Sequence, residues 1–333
     1  MSFRKTVVSV GVLCFFLAES TYANEVENLV RNFYSTNISR SLLMTDEEVV
    51  MFGILDFNPN DYLENDFVDL DDENFGGEGE NQTRSDLKSL SLPYRYDFKR
   101  SGKGNYWIGI KTAYLQNNQD IPLSNNPSSE LDELEELNTI LGIGSGYDYK
   151  LSAHWLLTAG VYVNWIQYKN EVKFNSSESQ ALAPFFDGLL TNVDFDVLIA
   201  EPIVSINYLL DWGQTHFKLF SKMHYMNGTA FDTDHDAHDL KPEAWYATNG
   251  VMAKRPFSEG TLQGHSIWYR LAQVNTGGDL GMAVGTNRYY EAGIAWLVET
   301  PSLGDYLTNI GLGININYGS DLKGGTIMLL FNK

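Results

Sequence analysis

Cysteine is almost missing from this chain: Cys14 is the single one among 333 residues, so no intrachain disulfide can fasten the fold. Basic charge is scarce too. Lys and Arg number 23 against 43 Asp and Glu, a formal net charge of −20. That excludes the cationic surface with which a nucleic-acid binder displaces counterions. Long apolar runs are absent beyond the N-terminal stretch, and mean hydropathy is −0.24. A helical membrane span needs about 20 apolar residues in a row, so that class is excluded as well. Aromatics are not scarce: 7 Trp, 19 Tyr and 18 Phe argue against disorder throughout.

The cysteine lies within an export signal. Arg4 and Lys5 give the positive start, Thr6 to Leu17 the apolar stretch and Thr21-Tyr22-Ala23 the cleavage site. Residues 1–23 therefore read as a signal peptide. Gly11-Val12-Leu13 ahead of Cys14 does not fit the lipoprotein pattern. Cleavage after Ala23 leaves a chain without cysteine. It also removes Arg4, Lys5 and Glu19, taking the net charge from −20 to −21.

Three textures follow. In 24–48, Val26, Leu29, Val30 and Phe33 share a helical face, which predicts a short helical segment, either a plug or a periplasmic tail. The stretch 59–90 carries the acidic run Asp66 to Glu73, then Gly76, Gly77 and Gly79, and reads as an external loop. From about Leu92 to Phe331 apolar residues take every second position. Ile310, Leu312, Ile314, Ile316 and Tyr318 alternate with Gly311, Gly313, Asn315 and Asn317. Leu141, Ile143, Tyr147 and Tyr149 stand opposite Gly142, Gly144, Gly146 and Asp148. Period two over many segments means an all-β domain.

Whether the apolar faces meet lipid or a soluble core is decided by length, girdles and parity. Several segments have the roughly 9–11 residues that a tilted strand needs to cross a bilayer. Trp155 and Trp165 share a face and stand about 33 Å apart along an untilted strand, the spacing of two interfacial girdles. Twelve strands are expected, with ten to twelve as the range: near 49–58, 91–99, 105–116, 138–150, 154–168, 193–211, 215–227, 243–257, 265–275, 288–299, 308–319 and 323–331. Long connections (59–90, 117–137, 169–192, 228–242) alternate with short ones, as in outer-membrane barrels. Glu201-Pro202 interrupts one segment and shifts its apolar phase from Ile199 to Val204, which predicts a bulge. The fold expected over 49–333 is a transmembrane antiparallel up-and-down β-barrel.

The signal peptide, the glycine-rich strand Ile140 to Tyr149 and the closing hairpin Ile310 to Phe331 carry a resemblance. The chain resembles the translocator domain of autotransporters, and within them the solitary outer-membrane autotransporter-like β-barrel family of Gram-negative bacteria. The resemblance implies a barrel in the cell outer membrane without a passenger domain, surrounded by outer-membrane lipids and lipopolysaccharide. It also implies insertion by the barrel assembly machinery. Fewer than 70 residues separate Ala23 from Leu92, which leaves no room for a β-helical passenger.

Candidate chemistry is sparse. Asp232, Asp234, His235, Asp236, His238 and Asp239 form the densest cluster, with donors suited to weak binding of a divalent cation. The spacing lacks the glycine and glutamate of an EF-hand loop, and a solvated external loop is the plainer reading. No other cofactor is expected. Lys111, Lys218, Lys222, Arg270 and Glu291 fall on the polar face and are predicted to point into the lumen. They would form either a charged constriction or a mutually neutralised lining. His224 also faces inward, but Ser221 lies on the opposite face, so the two cannot make a dyad on one strand. The function expected is non-enzymatic: a small or plugged pore, or a translocator-like barrel. The alternatives are a secreted soluble β-sandwich or lectin-like binding protein and, further off, a barrel hydrolase.

Overall fold

The structure is a computed structural model and describes residues 20–45, 50–52, 87–98, 102–121, 130–304, 307–319 and 324–333. Most of the signal peptide, the acidic run at 66–73 and residues 53–58 of the first expected strand lie outside the described residues.

Twelve antiparallel strands close into a barrel in sequence order, with β1 pairing both β2 and β12. They are β1 (Val50–Phe52), β2 (Leu87–Asp97), β3 (Gly104–Ile121), β4 (Asp132–Lys150), β5 (Trp155–Lys173) and β6 (Asp194–Trp212). The circuit continues with β7 (Thr215–Phe231), β8 (Glu243–Pro256), β9 (His265–Gly278), β10 (Arg288–Glu299), β11 (Asn309–Tyr318) and β12 (Gly324–Phe331). Among the described residues three α-helices accompany them: α1 (Ser20–Leu43), α2 (Ser177–Phe186) and α3 (Asp279–Ala283). Connections 98–103, 151–154, 213–214, 257–264 and 300–308 gather at one end of the barrel, together with the C-terminus. The opposite, loop end carries 174–193, 232–242 and 279–287.

The barrel is polar inside and apolar outside. Ile110, Ile143, Val163, Val204, Leu271 and Leu312 are exposed on its outer face, while Lys111, Glu201, His224 and Arg270 are buried in its interior. Lipid selects that inversion, because the hydrocarbon cannot satisfy polar groups and closure of the sheet leaves no backbone edge. Trp155 and Trp165 lie on the same outward row of β5, as the period-two count requires.

Two expectations are corrected. Strands β3 to β7 have 17 to 19 residues, well beyond a membrane crossing. The surplus rises at the loop end, where the outward row of β5 changes from Trp165 to Gln167, Lys169, Glu171 and Lys173. Lys173 pairs with Glu133 at 2.7 Å on that outer surface. Above the lipid the outer face meets water, so the apolar alternation stops while the backbone ladder continues. The second correction concerns Glu201-Pro202. Ala200 pairs with Asn227 and Ile203 with His224, so no residue is inserted and there is no bulge. The ladder to β7 only skips the position where proline has no N–H to give. The shift in apolar phase has another cause. The inner row Phe195, Val197 and Ile199 packs on a buried helix, and from Glu201 downward the inner row of β6 is polar except for Ile203.

Inward glycines make room for aromatics lying flat on the wall. A Cβ on Gly109 would stand 2.0 Å from Tyr162 Oη, and one on Gly144 would stand 2.4 Å from Tyr162 Cδ1. Trp107 similarly covers Gly146 and Gly160. Gly144→Val is therefore expected to cost about 1–3 kcal/mol by overpacking. Equilibrium urea unfolding of the refolded barrel checks this, and a value within experimental error of the parent refutes it.

The last residues are fastened to the short-turn end. Asn332 Oδ1 accepts from Thr308 N at 2.7 Å, and the Lys333 carbonyl accepts from Asn309 Nδ2 and Lys254 Nζ, each at 2.6 Å.

Candidate functional site

Helix α1 occupies the lumen. Its apolar stripe Val30, Tyr34, Ile38 and Leu42 repeats every four residues and is buried against the inner rows of the wall. The stripe meets Ile140 of β4, Ile166 and Tyr168 of β5, and Phe195, Val197 and Ile199 of β6, in one hydrophobic cluster. Tyr34 is 0% exposed and meets three rings edge-on: Tyr168 at 5.2 Å, Phe195 at 5.3 Å and His238 at 5.5 Å. The described part of 24–48 is thus helical and packs inside the barrel.

The polar side of the helix is held by one buried carboxylate. Glu136 Oε1 accepts from Asn37 Nδ2 at 3.2 Å and from Tyr168 Oη at 2.8 Å, while Oε2 accepts from Asn117 Nδ2 at 3.0 Å. Three donors on one carboxylate satisfy a buried charge that would otherwise be costly.

The direction of the helix is set by its contacts. Arg31 Nη2 donates to the carbonyl of Asp236 at 2.9 Å, in the 232–242 connection at the loop end. After the helix the chain enters β1 at Val50, opposite Leu329 near the end of β12. Helix α1 thus starts at the loop end and descends toward the short-turn end.

Two connections fold inward over its start. Leu280 and Val284 of the 279–287 connection join the same hydrophobic cluster, as do Ala237 and Leu240 of 232–242. Asp279 Oδ2 accepts from Glu243 N at 2.9 Å, and burial holds the Asp279 carboxyl above the usual carboxylate range. His238 is buried as well. Its Nε2 donates to the Leu189 carbonyl at 2.9 Å, and burial pushes its imidazole below the ordinary histidine range.

The six expected cation ligands do not converge. His238 faces the helix, His235 Nδ1 accepts from Ala237 N, Asp239 accepts from Thr233 Oγ1, and Asp236 offers its backbone carbonyl to Arg31. Asp232 and Asp234 are exposed. Among the described residues no group of three or more His, Cys, Asp or Glu could hold a metal ion. A turn whose backbone bends to seal a mouth aims consecutive side chains in different directions, and that disperses the cluster.

Below the plug runs a belt of buried charge. Lys111 Nζ lies 2.8 Å from Glu201 Oε2, reaching from β3 to β6 across the glycines of β4. Asn164 Nδ2 donates to the same oxygen at 2.9 Å, and His224 Nδ1 lies 2.7 Å from Glu201 Oε1. The Lys111 ammonium stands 4.2 Å over the Tyr162 ring, and His224 stacks on Tyr246 at 4.3 Å. The other expected lumen charges also lie on inward rows. Arg270 Nη2 meets Glu291 Oε2 at 3.1 Å, Lys218 stands over Phe220 at 5.7 Å, and Lys222 is buried. For Lys111, Arg270 and Glu291 the lining is neutralised by pairing. Ser221 is exposed on the outer face, opposite His224.

Sequence reading missed Glu201 and Glu136. The first was hidden by its proline neighbour, although Phe195, Val197, Ile199, Glu201 and Ile203 keep strict period two. The second fell in a stretch, 117–137, taken for a loop because its outward row is charged.

Comparison with known proteins places this architecture. No curated protein matches the sequence. Among solved structures the chain is similar to the transport unit of the autotransporter AIDA-I from Escherichia coli, with TM-score 0.47 and 12% identity over 74% of this chain and 80% of that one. It is also similar to the translocator domain of the autotransporter NalP from Neisseria meningitidis, with TM-score 0.46 and 9% identity over 74% and 82% of the two chains. The family described as the solitary outer membrane autotransporter beta-barrel domain matches residues 35–333, from the middle of helix α1 to the last residue. The chain belongs to the solitary outer membrane autotransporter β-barrel domain family.

Proposed function

We propose that this chain is a non-enzymatic, plugged barrel of the Gram-negative outer membrane that exposes the start of its own N-terminal helix at the cell surface. The reading rests above all on helix α1, whose Tyr34 is fully buried inside the barrel beneath the 232–242 connection. Short turns and the C-terminus mark the periplasmic end of such barrels, so the loop end faces outward. Outer-membrane lipids and lipopolysaccharide are then the partners of the apolar outer face. The barrel assembly machinery is the partner during insertion. The lumen contains a Glu–His pair, yet Glu201 is engaged with Lys111 and Asn164, and no nucleophile shares hydrogen bonds with His224 among the described residues. A secreted soluble β-sandwich is disfavoured by the closed sheet and by the exposed apolar outer row.

An epitope tag inserted between Asn24 and Glu25 tests the orientation. Antibody is expected to bind it on intact cells, whereas a tag after Lys333 is expected to be reached only in opened cells. The reverse pattern refutes the reading.

A further inference from the structure

His238 occupies a position that the plug alone does not require. It belongs to the 232–242 connection, yet its ring touches three other parts of the chain. It stacks on Phe195 of β6 at 5.6 Å with 19° between planes and meets Tyr34 of α1 edge-on at 5.5 Å. Its Nε2 donates to the carbonyl of Leu189 in the connection after α2 at 2.9 Å. One imidazole therefore joins two surface connections, the wall and the plug.

We propose that His238 is a pH-operated latch: neutral, it holds the 232–242 connection down on helix α1, and its protonation in acid lifts that connection and exposes the outer end of the helix. This rests on the reading of α1 as a plug.

The chemistry follows from the surroundings of the ring. The Leu189 carbonyl can only accept, so Nε2 carries the hydrogen and the ring is neutral through Nδ1. Protonation places a full charge in a buried site between two aromatic rings. The titratable and charged groups facing it are few. From its own connection come Asp234, Asp239 and His235, whose ring is 5.8 Å away. From α1 come Tyr34 and Arg31, the latter bound to the Asp236 carbonyl. Leu189 and Phe195 bring no charge, and behind Phe195 lies Tyr168. The Leu189 carbonyl and the two carboxylates favour the charged ring and His235 opposes it, but burial is the largest influence and holds its pKa down.

The sign is then fixed. A histidine whose pKa is lowered by folding contributes its full stabilisation above the unfolded value, about 6.5. That contribution falls away as pH drops below about 6.5 toward the depressed folded value. The latch is closed at neutral pH and opens in mild acid.

Thiol labelling of the full chain in detergent or lipid tests this. In a Cys14→Ser background, Val30→Cys places a thiol on the buried face of α1, and Asn28→Cys places one on its exposed face as a control. The ratio of the two labelling rates cancels the reagent's own pH dependence. The ratio is expected to rise severalfold between pH 7.5 and pH 5, because a ring whose pKa is depressed when closed takes up its proton on opening. His238→Phe keeps the ring stack and cannot titrate, so its ratio is expected to stay flat. A flat ratio in the parent, or the same rise in His238→Phe, overturns the latch while leaving the plug intact. Equal labelling of Val30→Cys and Asn28→Cys already at pH 7.5 overturns the plug, and the latch with it.

Discussion

Deleting residues 24–43 is expected to raise single-channel conductance in planar bilayers by at least about tenfold over the full chain, because a twelve-stranded barrel without an insert encloses a water-filled lumen. The deletion takes away the filling of the outer half of the lumen: Val30, Tyr34, Ile38 and Leu42, together with Asn37 and its bond to Glu136. It cuts no strand, so the ladders from β2 to β12 remain and the folded barrel still migrates faster than its boiled form in SDS gels. Ile38→Asp in the full chain is the companion variant. It puts a charge at a position that is 0% exposed and drives the helix out without shortening the chain. Conductance unchanged in both variants would show that something other than α1 closes the lumen.

Lys111→Ala is expected to destabilise the barrel by about 3–5 kcal/mol, the cost of leaving a buried ion without its partner. Glu201 is fully buried, and Lys111 is its ammonium neighbour at 2.8 Å. Asn164 and His224 remain as hydrogen-bond partners, but the lysine ammonium is gone. Replacing both ions by apolar side chains of similar volume, Lys111→Met with Glu201→Leu, is expected to restore most of the loss. The part not restored reports the hydrogen bond that His224 gives up. Urea unfolding of the two variants and the parent measures this. A cost below about 1 kcal/mol for Lys111→Ala would mean that water, not lysine, compensates the carboxylate.

How much of this was legible beforehand depends on which solvent each residue faces. Strand number, order and alternation could be read because lipid imposes one rule on the outer row from β2 to β12, and Ile310 to Tyr318 obey it throughout. The rule ends where lipid ends. Glu133 and Glu135 lie on the outward row of β4, but they meet water, so their charge hid the first turns of that strand. Inside, two environments follow one another along a single row. Phe195, Val197 and Ile199 face a helix, whereas Glu201, Ser205 and Asn207 are polar, with Ile203 between them packed on Trp107 and Tyr162. A reading that assumes one inner environment must explain the switch by a bulge. The glycines of β4 were legible as space to be filled; that Tyr162 and Lys111 fill it depends on the register of the β3–β4 and β4–β5 pairs, which sets Lys111 opposite Gly142 and Tyr162 opposite Gly144. The 232–242 connection departs from its sequence pattern for the opposite reason. Its donors are dense in sequence, but the turn that tucks Ala237 and His238 inward scatters them.

The unequal strand lengths give the molecule a front and a back. Strands β4, β5 and β6 have 19 residues each, whereas β10, β11 and β12 have 12, 10 and 8. At about 3.3 Å per residue, seven to eleven extra residues add roughly 23–36 Å along the tilted strands. The rim is therefore cut obliquely. A molecule drifting over the membrane surface from the tall side meets a parapet studded with Lys169, Glu171, Lys173 and Glu133 before it meets the mouth. From the β10 side it arrives where the strands end lower, and there the 279–287 connection folds in over the start of the buried helix.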